Sequence, residues 1–156
     1  MGRVGACLAF ASSILVLTAP TQALARDVNA AHQEGARSFS VKLTGRDSVP
    51  PADRDGQGSA RLDLDPQKGT ACYEIAWEKL DGRVTAFHLH AGQRGRNGPH
   101  WIDFFNGQNF AGQQKLKDCV GSTRERIEAV IKNPSAYYLQ VHSTAFEDGA
   151  IRGQLG

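Results

Sequence analysis

The sequence has little of what marks several large protein classes. It carries no excess charge of one sign, with 18 basic against 16 acidic residues, so no basic field is available to hold a nucleic acid. Its 17 glycines and 6 prolines fall short of collagen-like or low-complexity usage. No apolar run is long enough for a stable transmembrane helix, and the longest, Ala6 to Leu17, is interrupted by Ser12 and Ser13. Cysteine is scarce at three residues, an odd number that leaves one without a partner. No nucleophile elbow is present. The glycine-rich stretch Gly92 to Gly98 does not join a strand to a helix, so it is a poor phosphate cradle. At 156 residues, the chain has the size of one domain with room for a real core.

What is there begins with an export signal. Residues 1–25 combine a lone charge, Arg3, with the short apolar stretch and the small residues Ala23-Leu24-Ala25 that a signal peptidase prefers. Cleavage is expected between Ala25 and Arg26, sending the protein to the periplasm or the extracellular space; a retained anchor is the alternative. Cys7 would leave with the leader, while a lipid attachment there lacks a preceding apolar run. The mature chain then keeps Cys72 and Cys119, an even pair that reads as one disulfide in an oxidising compartment, or else as two buried thiols. Residues 26–36 are polar and aperiodic, a flexible leader that contains the incidental His32.

From residue 37 onward the pattern has period two. Phe39, Val41 and Leu43 alternate with polar residues, as do Ala60, Leu62 and Leu64, and then Tyr73, Ile75 and Trp77. Such alternation predicts half-buried strands. Further strands are expected at Val84 to His90, Trp101 to Phe105, Tyr137 to His142 and Ala150 to Leu155. Only Ser122 to Lys132 reads as helix, capped by Ser122 or Thr123, with Ile127, Val130 and Ile131 as its stripe and Asn133-Pro134 as its stop. The expected fold is all-β: an antiparallel Greek-key sandwich or barrel of about seven to eight strands with one short helix.

The histidines carry the chemical signal. In Phe87-His88-Leu89-His90, alternation places both imidazoles on one face and the apolar pair on the other. His142 follows Tyr137, Leu139 and Val141, the expected core face of its strand, and so shares the solvent side with Gln140. His100 ends a glycine-rich loop that can fold back over them. Three or four neutral imidazoles without thiolates suit copper or zinc. The plain alternative is a set of surface polar residues. Asp103 is a candidate acceptor for orienting an imidazole, or simply a surface carboxylate.

Phe39 to Gly156 resembles the CHRD domain, the chordin-type module of exported bacterial proteins. The resemblance rests on Leu43-Thr44-Gly45, Val49-Pro50-Pro51, Gly58-Ser59-Ala60, Val84 to His90, Asn97-Gly98-Pro99, Tyr138 to Ser143 and Asp148 to Leu155. It implies an all-β extracellular module over residues 37–156 and by itself no activity.

The histidine segments are also similar to those of the copper/zinc superoxide dismutases. That resemblance implies copper held by His88, His90, His100 and His142, with Arg152 guiding the superoxide anion; one superoxide would be oxidised to oxygen and a second reduced to hydrogen peroxide. The dismutase zinc ligands have no counterparts after His100, so no zinc site is expected. The dismutase cysteine is absent too, and the disulfide is not carried over. The competing class is a non-catalytic extracytoplasmic module that binds a protein, a glycan or copper without turnover, with Trp77, Trp101 and Tyr138 as candidate surface aromatics, although core packing is the safer assignment for Trp77. The sequence leaves the oligomeric state open.

Overall fold

A computed structural model describes residues 1–2, 35–110 and 112–156. The signal-peptide and leader expectations, with Cys7 and His32, fall on residues outside this set. Eight strands follow one another: β1 (Arg37–Thr44), β2 (Gln57–Asp65), β3 (Thr70–Glu78), β4 (Val84–Ala91), β5 (His100–Asn106), β6 (Lys115–Gly121), β7 (Tyr137–Ser143) and β8 (Ile151–Gln154). Among the described residues a single α-helix, α1 (Arg124–Lys132), lies between β6 and β7. All pairings are antiparallel, in the order β5-β4-β7-β8-β1-β2-β3-β6. The sheet is nearly closed and barrel-like, so β3 packs across the interior on β4 and β5: the Tyr73 ring lies 5.6 Å from Phe87 and 5.0 Å from Phe104.

The alternation in the sequence arises from this interior. Val41, Leu43, Ala60, Leu62, Leu64, Tyr73, Ile75 and Trp77 are all buried, with the polar residues between them turned outward. Helix α1 starts at Thr123, whose hydroxyl accepts from the Arg126 amide, and it buries Ile127, Val130 and Ile131. Strand β6 was not expected from its sequence. Lys115, Lys117 and Asp118 stand exposed on it and only Leu116 and Val120 turn partly inward, so it has no apolar face to announce it. It is an edge strand protected by charge, held by its ladder with β3 and by the Cys72–Cys119 disulfide between directly opposed residues.

The other side of the barrel departs from simple alternation. All seven residues of β7 are buried, and so is Phe87–His90 in β4. One face of these strands packs on the core through Phe87, Leu89, Leu139 and Val141. The opposite face carries the polar residues, and loops cover it. Two glycines allow that cover to come close. A side chain at Gly98 would meet the Ala91 carbonyl oxygen at 1.6 Å; one at Gly149, with φ of +127°, would meet Gln140 Nε2 at 1.7 Å.

Candidate metal centre

Register assembles the polar face. His88 on β4 lies opposite Gln140 on β7, which lies opposite Arg152 on β8. One step along, His90 lies opposite Tyr138 and Tyr138 opposite Gln154. His142 is reached from Ala86. On the remaining side of β4, His88 faces Asp103 and His90 faces His100. The last two pairings depend on irregularities in the β4–β5 ladder, between Phe87 and His88 and between Leu89 and His90. These shifts leave Trp101 and Phe104 out of register, so that Phe104 and Phe105 both face the core while Asp103 and His100 reach the histidine face. Bulges re-aim side chains in this way, and no period-two reading can foresee them.

The four imidazoles converge. Their ring centroids lie 4.0 Å apart for His88 and His100, 4.7 Å for His90 and His100, 5.0 Å for His88 and His142, and 5.7 Å for His90 and His142. One nitrogen from each of His88, His90 and His100 falls within 4.8 Å of the others. The expected solvent wall is corrected here. His88 is 3% exposed and His90 and His142 are also buried; only His100, at 48%, faces water. The sequence could not reveal this, because the covering comes from the 92–99 and 144–149 loops and not from the strands themselves.

Those loops also fix the tautomers. His90 Nδ1 donates to the Gly98 carbonyl at 3.0 Å and His142 Nδ1 to the Glu147 carbonyl at 2.8 Å, so each presents a bare Nε2 lone pair. The Nε2 atoms of His90 and His142, and both ring nitrogens of His88, are buried without a hydrogen bond. Each such group costs roughly 1–3 kcal/mol if nothing satisfies it. Burial, reinforced by the neighbouring imidazoles, pushes His88 down to about 3. Burial likewise pushes His90 down to about 4, against the opposing pull of the Gly98 carbonyl. His142 is lowered too, again chiefly by burial. Neutral imidazoles with free lone pairs are the protonation state that a metal needs.

Two expected residues take unexpected places. Arg152 is 1% exposed, so it does not stand on a solvent wall as its guiding role assumed. Its guanidinium lies 3.4 Å from the Tyr138 ring centroid and donates to the Gln93 carbonyl, Asn97 Oδ1 and Gln154 Oε1. Asp103 is 62% exposed, and its Oδ1 lies 2.9 Å from His100 Nδ1 and 3.7 Å from His88 Nε2. The sequence offered it only as one possibility, since a strand carboxylate gives no sign of its neighbours. Two of the candidate surface aromatics are corrected as well: Tyr138 is buried and Trp101 packs on Tyr137 and Arg126, while Trp77 takes the core place its strand pattern gave it.

The donors fit a first-row metal ion. Imidazole nitrogens suit copper or zinc, and no thiolate approaches, because both cysteines of the described barrel are joined to each other. A family profile for the CHRD domain matches residues 39–155. No curated protein and no solved structure shows significant similarity to the chain.

Proposed function

The chain belongs to the CHRD domain family, and from that premise we propose that it is an exported β-barrel module that binds copper through His88, His90, His142 and the solvent-side His100. The observation that carries this reading is the set of buried imidazole nitrogens of His88, His90 and His142 left without partners; His88 and His90 also form, with His100 and without His142, a group whose ligand nitrogens lie within 4.8 Å of one another. A protein keeps such atoms dry at a cost, and a metal ion removes that cost. The backbone carbonyls of Gly98 and Glu147 orient two of the rings, and the Asp103 carboxylate lies 2.9 Å from His100 Nδ1. Export follows from the leader read at residues 1–25 and agrees with the disulfide. The test is metal analysis of protein purified from the export compartment, then reconstitution. About one equivalent of copper supports the site; less than a tenth of an equivalent after reconstitution refutes it.

A second reading adds superoxide turnover. Bound copper would supply one-electron chemistry, with oxygen and hydrogen peroxide as products. His100 favours it, since its half-exposed ring leaves the site open to a small anion. Arg94 and Arg96 are exposed on the covering loop, and Arg94 lies 3.7 Å from the Asp47 carboxylate, which offsets part of their positive charge. Two features favour binding without turnover: Arg152 is enclosed, and the Asp103 carboxylate stands beside the exposed ring and repels an anion. Stoichiometric copper without superoxide turnover decides for the binding module.

A further inference from the structure

Arg152 is among the largest fully buried side chains of the barrel, and the metal reading leaves it unused. Its hydrogen-bond acceptors are all neutral: the Gln93 carbonyl, Asn97 Oδ1 and Gln154 Oε1. A guanidinium keeps its charge in proteins, so a permanent cation is sealed inside the polar layer. Its plane faces Tyr138, whose ring in turn stacks on His90 at 4.8 Å and 9°. The Tyr138 hydroxyl accepts from the Gly98 amide, and the Gly98 carbonyl holds His90 Nδ1. Cation, phenol ring and imidazole therefore form one column, fastened to the same loop at both ends.

We propose that Arg152 is a positioning residue that sets the oxidation-state preference of the histidine site, acting through Tyr138 on His90. This inference rests on the copper reading above. A fixed positive charge behind a ligand disfavours the more highly charged ion, so native Arg152 tilts the site toward Cu(I). With the guanidinium about 8 Å from the imidazole along the stack and an effective dielectric of about 20, its removal changes the ratio of Cu(II) to Cu(I) affinity about ten- to thirty-fold. The stack also holds His90 in place, and a charge-keeping variant separates that role from the electrostatic one.

The experiment measures Cu(II) and Cu(I) affinities separately, by competition with colorimetric chelators, on the full mature chain. The native protein is compared with Arg152→Lys, Arg152→Gln and Asn97→Asp. The last keeps the guanidinium and the side-chain volume at 97, gives up the Asn97 Nδ2 donation to the Val49 carbonyl, and adds a carboxylate where Asn97 Oδ1 now lies 3.4 Å from Arg152 Nη1. It also guards against an Arg152→Gln protein that fails to fold, because Asn97 is exposed. The expected result is a shift of about tenfold or more toward Cu(II) in Arg152→Gln and Asn97→Asp, with Arg152→Lys near native. An unchanged ratio in a folded, copper-binding Asn97→Asp protein overturns the inference alone. An equal shift in Arg152→Lys and Arg152→Gln also overturns it, by showing that shape and not charge matters. A native chain that binds neither ion overturns the copper reading and this inference together.

Discussion

Acid should unfold the metal-free protein in a pH window that the histidine cluster dictates. An imidazole of ordinary pKa 6.5 is protonated in the unfolded chain at about pH 5, whereas His88, held at about 3, and His90, at about 4, stay neutral in the fold. The unfolded state then binds more protons than the native state, so stability rises with pH through this range and falls on acidification. Above about pH 6.5 neither state binds the protons and nothing is lost. At about pH 5 each group withholds about 2 kcal/mol, or about 4 kcal/mol for the two; His142, also lowered, adds in the same direction. Below the folded-state values the loss levels off. The lowered carboxylates of Asp63, Asp65 and Glu74 start from ordinary values of 3.8 to 4.5, so they titrate below the window. Urea unfolding of chelator-treated, oxidised protein at about pH 8 and about pH 5 measures the difference directly. A His88→Asn, His90→Asn double variant should lose most of the dependence. A native difference under about 1 kcal/mol would refute the picture of dry, neutral imidazoles.

Other changes bear on the same architecture. His142→Ala should weaken copper binding by about a hundredfold in chelator competition, and full retention of affinity would remove His142 from the ligand set. Reducing the Cys72–Cys119 disulfide, which spans 47 positions, should lower stability by about 4 kcal/mol in the loop-entropy account, read as a shift in denaturant midpoint at unchanged fold. Gly98→Ala places a methyl 1.6 Å from the Ala91 carbonyl oxygen, so the loop must lift and His90 Nδ1 loses its acceptor; a loss of more than about 2 kcal/mol in thermal or urea unfolding is expected. Intact mass of the exported protein should begin at Arg26, and a mass that retains residues 1–25 would refute the cleavage site.

Much of the fold was legible because period two is a direct print of a half-buried strand. Val41, Leu43, Ala60, Leu62, Leu64, Tyr73, Ile75 and Trp77 could be assigned to the interior residue by residue. Helix α1 was legible from its cap and its stripe. Strand β6 was not, since an edge strand with charges at three of its seven positions and no buried residue carries no pattern of burial and exists because β3 offers it a ladder. The pairing of the histidines on one face could be read from Phe87-His88-Leu89-His90 alone, because side chains alternate whatever the partner strand is.

The sequence by itself therefore determined which imidazoles share a face and which residues fill the barrel. Only the tertiary structure decided that this face is dry. Burial there comes from the 92–99 and 144–149 loops, laid over β4 and β7 through Gly98 and Gly149, and loop placement depends on contacts far apart in the chain. The same distant contacts turned Arg152 from an expected surface guide into an enclosed cation, and brought Asp103 to His100 through a bulge. Alternation sets the direction of a side chain; what it meets at the end of that direction is a property of the whole barrel.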